Sequence, residues 1–237
     1  MALPLSPTAR STPHRTKHRT RTDRSAVYEV LDAGLICHLG LVVGGSPVVL
    51  PTGYGHHEDT LYLHGSTGAR SLRESAGGTE VCVTVTHVDG IVYARSLMHH
   101  SMNYRSAVVH GIAKPVTERA EKLNALRIIT EHLAPGSWDY AREVNDKEYA
   151  AVSVLALDLH EASVKVRAEG PNDDEEDVRE SSAWAGVLPL RQVVDAPVPA
   201  ADLPEGVGVP EHVARRATPG TRADRRFQHT GTVSDMH

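Results

Sequence analysis

Through much of residues 35–115 apolar and polar side chains alternate with a period of two, the pattern of a strand with one buried face. It is clearest in "EVCVTVTHVDGIVYARS", where Val81, Val83 and Val85 alternate with Cys82, Thr84 and Thr86. The Asp89-Gly90 pair is favoured hairpin chemistry and predicts a turn there, with a return strand from Ile91 to Ala94. Upstream, "LICHLGLVVGGSPVVLPTGY" reads as a hairpin about Gly44-Gly45-Ser46-Pro47, and Leu61 to His64 as a third strand. "NYRSAVVHGIAKPV", bent at Gly111, and "AAVSVLALDLHEASVKVRA" supply further strands, and "WAGVLPL" (184–190) a last apolar segment.

The period changes to that of a helix in two long stretches. Val27, Val30 and Leu31 share one face between a cap at Asp23 or Ser25 and a stop at Gly34. Leu123, Leu126, Ile129 and Leu133 share another, closed by Pro135-Gly136. A short helix is expected around Ala69 to Ala76, and an acidic loop at 172–177. Several antiparallel strands with one substantial helix predict a mainly β chain: a small closed or partly open barrel with helices packed outside.

Composition divides the chain. Residues 10–24 are rich in Arg and Lys and poor in long apolar side chains, so 1–24 are expected to form a disordered basic arm. The globular domain is expected over 25–194. From 195 to 237 Pro, Gly, Ala and charged residues show no sustained period, which predicts a mostly disordered tail. With 25 basic and 30 acidic residues and a formal net charge of -5, the chain as a whole gives no reason to expect nucleic acid or an anionic membrane as partner. Two distant cysteines, Cys37 and Cys82, exclude a disulfide framework and a Cys-x-x-Cys metal knuckle. No stretch reaches the roughly 18 apolar residues of a membrane span, and a cytoplasmic protein is the expectation.

The chemistry concentrates in "LYLHGSTGARSLRE" (61–74): a strand end, a small-residue turn and a new helix carrying Arg70 and Arg73. Unpaired N–H groups at a helix start beside guanidinium groups suit an anion such as a cofactor phosphate. The fifteen histidines include the pairs His56-His57 and His99-His100. Strand neighbours point to opposite faces and none of the pairs has metal-site spacing, so no metal is expected. Lys165 and Arg167 share a strand face, either as a polar exterior or as a basic wall over a ligand.

Taken in order, "CHLGLVVGGSPVVLPTGY", "DTLYLHGSTGARS", "VCVTVTHVDGIVYARSLMHHSMNYRSAVVHG" and "EASVKVRAEGP...WAGVLPL" resemble the pyridoxamine 5'-phosphate oxidase-like FMN-binding split barrels, in particular the flavin-nucleotide-binding branch similar to nitroimidazole resistance reductases, over about residues 25 to 190. The resemblance implies a six-stranded antiparallel split β-barrel of Greek-key type, a homodimer and FMN in clefts between the barrels. Backbone groups of Val49, Leu50, Pro51 and Thr52 would meet the pyrimidine edge of the isoalloxazine. His64, Gly65 and Ser66 would follow the ribityl chain, Arg70 would hold the phosphate, and Arg105 and Ser106 would complete those contacts. Lys165 would wall the cofactor, and Trp184 would close the dimer cleft or serve as an interface anchor. His64 matches a family position linked to activity, as a proton relay or a structural imidazole.

The Arg-rich C-terminal signature of true pyridoxamine 5'-phosphate oxidases is missing from "WAGVLPLRQVVDAPVP", where Arg191 is the only base. Oxidation of a vitamin B6 phosphate is therefore not expected. The leading expectation is an FMN-dependent oxidoreductase acting on a small organic or nitroaromatic substrate. Without a GxGxxG turn, an external electron donor must reach the flavin directly. The alternatives are a non-catalytic flavin carrier or sensor, and a barrel that holds haem or a deazaflavin.

Overall fold

A computed structural model describes residues 5, 8–12, 16–66 and 78–217. Residues 1–192 and 193–237 form separate units. The first contains the strands β1 (Thr20–Arg21), β2 (Ile36–Val43), β3 (Ser46–His57), β4 (Thr60–Ser66), β5 (Thr79–Tyr93), β6 (Ser101–Pro115), β7 (Val152–Asp158), β8 (Ala162–Arg167) and β9 (Gly186–Pro189). Its helices are α1 (Arg24–Ala33), α2 (Arg119–Leu133), α3 (Asp146–Ala151) and α4 (Glu175–Glu180). In the second unit the described residues hold one short helix, α5 (Glu211–Ala214).

Antiparallel pairings run β6-β7-β4-β3-β2-β5, and β5 pairs again with β6, closing a six-stranded ring. β8 and β1 extend from β6, and β9 from β5. The expected split barrel is thus the observed fold, with three additional strands at its margins.

The alternating pattern explains the interior. Val81, Val83 and Val85 of β5 point inward with Leu39 and Leu41 of β2, Ala107 and Val109 of β6, and Leu155 and Leu157 of β7. α1 plugs this core with Val27, Val30 and Leu31, all buried. Gly44 and Gly45 take φ values of 57° and 82°, the left-handed geometry of a two-residue hairpin turn, joining β2 to β3 as expected.

α2 covers a second cluster of Tyr62, Val116, Ala125, Ile129 and Val154. Its inward face centres on Ala125 and Ile129, and Leu133, expected on that face, is about half exposed. Close helix–sheet approach decides the register. A Cβ on Gly55 of β3 would lie 2.8 Å from Ile128 O and 2.8 Å from Ile129 Cα, so only glycine admits the helix backbone.

Three expectations need correction. The chain does not turn at Asp89-Gly90: β5 continues to Tyr93, with a register shift between Val88 and Gly90. The reversal comes later, through the 3-10 turn Leu97–His99. Asp89 is held by Arg105 on β6, and β9 runs along Gly90, where a Cβ would stand 3.0 Å from Val187 Cγ1. A bulge, not a hairpin, is what this Asp-Gly makes. The acidic stretch at 172–177 is loop only in its first part, because α4 begins at Glu175. The arm is structured at its described C-terminal end: β1 pairs with β8, and the buried Arg24 guanidinium is engaged by Asp59 and by His160 Nδ1 at 3.1 Å. The short helix expected around residues 69–76 lies outside the described residues.

Candidate functional site

Two strands diverge at the middle of the barrel wall. β3 pairs with β2 over Ser46–Gly53 and with β4 only from Tyr54, opposite Leu63. Beyond Leu63, β4 pairs with β7 alone, through His64↔Val154, Gly65↔Ser153 and Ser66↔Val152. Val49 to Thr52 and His64 to Ser66 therefore flank a fork in which each strand has an edge with no ladder partner among the described residues. Pro47 and Pro51 indicate which backbone groups face it. A proline in a paired strand turns its nitrogen away from the neighbour, so the residues of the same parity, Val49 included, direct their N–H and C=O groups away from β2. These are the two segments that the family resemblance assigns to one cofactor.

The side chains around the fork divide by face. Val49 is 64% exposed and Leu50 38% exposed. His38 on β2, opposite Pro51, and His64 on β4 are both exposed imidazoles that flank the fork. Cys37, on the core side of β2, is fully buried, and burial pushes its thiol up to about 12, so it is no nucleophile near neutral pH.

Ser106 and Lys165 are direct cross-strand partners on β6 and β8, on the outer face of the barrel. With Val108, His110 and Ser163 they floor a cavity of about 220 Å³, whose other wall is Arg10, Ser11 and Thr12 of the arm. Hydroxyls, an ammonium, an imidazole and a guanidinium in one small space are an oxyanion-binding chemistry. The arm is anchored there by Arg10, whose Nη2 bonds Glu161 Oε2 at 2.7 Å and whose Nη1 bonds Glu80 at 2.5 Å. Hydrogen bonds from Arg10 and then Thr8 hold the Glu161 carboxyl down at about 2. Two strands, β2 and β5, separate the fork from β6, a lateral distance of roughly 14 Å at the usual strand spacing.

The remaining expected residues lie apart from these two places. Arg105 donates to both carboxylate oxygens of Asp89 at 2.9 Å. That pairing, opposed by partial burial, raises the Arg105 guanidinium and lowers the Asp89 carboxyl. Arg167 does not share an open wall with Lys165: it is buried, giving hydrogen bonds to Asn103 Oδ1, Glu169 O and Gly170 O. Trp184 is 68% exposed and packs on Tyr93 with ring centroids 5.8 Å apart. Tyr93 also meets His100, whose Nδ1 accepts from Ala94 N at 2.9 Å. Arg70 lies outside the described residues, as does the side chain of Ser66.

Sequence reasoning missed two groupings. His110 and Ser163 complete the cavity of Ser106 and Lys165, and strand parity alone signals it: all four face outward. His99, Asp174 and Asp177 bring ligand-type atoms within 4.8 Å of one another, where no metal-ligating group was expected. Their sequence separation follows no metal motif, and only the packing of α4 near the 3-10 turn reveals them.

The family model of pyridoxamine 5'-phosphate oxidase matches residues 23–166. The chain belongs to the pyridoxamine 5'-phosphate oxidase family. Among solved structures it is similar to the flavocytochrome Anf3 from Azotobacter vinelandii, at 36% identity and a TM-score of 0.84, over 90% of this chain and 99% of that one. It is also similar to the FAD and haem binding protein from Mycobacterium smegmatis, at 35% identity and a TM-score of 0.79, over 84% and 97% of the two chains. A putative 5-nitroimidazole antibiotic resistance protein from Bacteroides thetaiotaomicron, at 24% identity and a TM-score of 0.52 over 62% and 86%, shares the fold. Comparison with curated proteins gives no match. No helix among the described residues is long and apolar enough to cross a membrane.

Proposed function

We propose that this chain is a flavin-binding redox protein that holds the isoalloxazine ring at the fork between β3 and β4, and that it takes haem as a second cofactor. The observation that carries the flavin reading is the fork itself. The Val49 N–H and C=O, the Pro51 C=O and the peptide groups of alternate residues in His64 to Ser66 offer donors and acceptors to the polar edge of a flat heteroaromatic ring, and exposed Val49 and Leu50 offer apolar contact. Ser106 and Lys165, with His110 and Ser163, form the anion site for the flavin phosphate. The family resemblance favours FMN, and the FAD named for the Mycobacterium smegmatis relative supports the dinucleotide as the second reading.

Support for haem comes from the two full-length relatives, a flavocytochrome and a protein named for flavin and haem binding. An axial ligand needs an imidazole with a free ring lone pair. His38 and His64 are exposed at the fork, whereas the Nδ1 lone pair of His100 is taken by Ala94 N–H, which puts the neutral ring's proton on Nε2. When bound, a flavin supplies a two-electron centre and haem a one-electron centre. His64 exchanges a proton at its imidazole, Lys165 holds the phosphate, and the fork orients the ring edge. The substrate is a small organic or nitroaromatic molecule.

The working form is a homodimer. Ile36, Val42 and Val49 on one part of the barrel, and Leu97, Met98 and Trp184 on another, are between 57% and 88% exposed, an apolar surface that a second copy would cover.

The test is the visible spectrum of the purified protein, with flavin released by heat and identified, before and after addition of haem. Wild type is expected to carry flavin and to develop a Soret band. Lys165→Ala is expected to lose flavin, and either His38→Ala or His64→Ala to lose the Soret band. Failure of wild type to carry or take up any flavin overturns the flavin reading. A Soret band that never forms, or that survives both histidine substitutions, overturns the haem assignment.

A further inference from the structure

A cavity lies away from the fork, on α2 and the segment that joins it to α3. It measures about 570 Å³ and is lined by Arg119, Asn124, Arg127, Trp138, Arg142 and Tyr149 among others. We propose that it is a second small-molecule site, for a flat aromatic ring bearing a phosphate or carboxylate.

The walls are built. Glu131 of α2 accepts from Gly136 N at 2.7 Å and from Trp138 N at 2.9 Å, which fixes the turn that presents the indole. Asn145 and Glu148 form a reciprocal capping box at the start of α3, and Glu148 also receives Arg142 Nη1 at 2.9 Å. Tyr149 is held by two cations, with Lys122 Nζ 4.0 Å and Arg119 Cζ 4.6 Å from its ring centroid. Trp138 and Tyr149 thus both line one concave surface, where the indole, with the Tyr149 ring beside it already engaged by cations, offers a planar ligand an apolar face in a fixed position.

The charges select an anion. Arg142 is paired with Glu148, and Arg119 with Asp146 at 3.3 Å. Arg127 has no hydrogen-bond or ion-pair partner among the described residues, and the lining carries one carboxylate outside those pairs, the exposed Glu143. Lys122 Nζ lies over the Tyr149 ring and donates to Tyr149 O at 2.9 Å, a further cation beside the cavity. Asn124, Thr130 and Ser137 supply neutral partners for the remaining oxygens of a phosphate or carboxylate. A free guanidinium beside an indole binds an aromatic anion through paired charged hydrogen bonds while the ring stacks on the indole.

The test uses indole fluorescence. The chain has two tryptophans, so Trp184→Phe leaves Trp138 as the only reporter. This protein is titrated with AMP as the phosphate arm, with 2-naphthoate as the carboxylate arm, and with adenosine as the uncharged control. Saturable quenching by one or both anions, at least tenfold tighter than by adenosine, is expected. Arg127→Gln in the same background is expected to weaken it by roughly 10- to 100-fold, the cost of one charge-assisted contact. Far-UV circular dichroism and flavin content serve as fold controls for Arg127→Gln, and Arg127→Lys, expected to keep part of the affinity, is the second variant. No saturation with either anion at millimolar concentration overturns the proposal, and so does binding that Arg127→Gln leaves unchanged.

Discussion

Replacing Gly55 with alanine tests the helix–sheet contact that braces the fork. The new Cβ would stand 2.8 Å from Ile128 O, 2.8 Å from Ile129 Cα and 2.9 Å from Ile128 C, where ordinary contact begins at about 3.4 Å. All three atoms are helix backbone, so no rotamer change relieves the overlap. Either α2 lifts by more than half an ångström or β3 sinks, and the cluster of Tyr62, Ala125, Ile129 and Val154 loosens. Overpacking of this kind costs about 1–3 kcal/mol, which for a domain of this size lowers Tm by roughly 3–10 °C. Gly53, two residues away on the same strand, is the matched control, since a Cβ there meets nothing within 4 Å. Gly53→Ala is expected to be neutral or to gain up to about 1 kcal/mol through a stiffer unfolded chain. Thermal and urea unfolding of both variants beside wild type provide the comparison. Equal stability of the two variants would refute the contact as the reason for glycine at position 55.

Three further outcomes are expected. Tyr54→Phe removes the bond from the buried phenol to Leu31 O (2.5 Å) at the end of α1; because Gly34 N also serves that carbonyl, the loss should be about 1 kcal/mol by urea unfolding. The folded Glu161 carboxyl is held down near 2 from an ordinary 4.5, so its contribution to arm docking is complete above pH 4.5 and lost as pH falls toward 2; limited proteolysis near Arg10 by an acid-active protease should accelerate only in that window, and a rate flat with pH would refute the anchor. In a double-mutant cycle of Asp89→Ala and Arg105→Ala, a coupling of about 0.5–1 kcal/mol is expected for this half-exposed pair, with flavin content unchanged by either substitution if Arg105 serves the bulge and not the cofactor.

What the sequence could and could not reveal follows from the range of the interactions involved. Val81, Val83 and Val85 announced a buried strand face because burial repeats locally, and Gly44-Gly45 announced a hairpin because the turn needs its own φ angles. Asp89-Gly90 misled for the same reason inverted: its conformation is set by Arg105 on the next strand and by β9, almost a hundred residues on. The α2 face is legible at Leu126 and Ile129 and not at Leu133, because the close approach at Gly55 helps decide which end of the helix face is buried. Val49 to Thr52 and His64 to Ser66 were both nominated from the family pattern, but nothing in either segment says that their strands part company at Tyr54 and Leu63. Arg105 and Lys165 looked alike as isolated cations, and only cross-strand geometry separates the one held by Asp89 from the one over an open cavity.

The parting of β3 from β4 also bears on the life of the chain before any cofactor arrives. A run of unsatisfied peptide groups on an exposed strand is a template for another strand, and Val42 and Val49 beside it add the apolar surface that makes such addition adhesive. Pro47 and Pro51 blunt the hazard by removing two donors from that run. Strand addition at this edge is the route by which the newly made protein is most exposed to self-association, and the two prolines stand where it would begin.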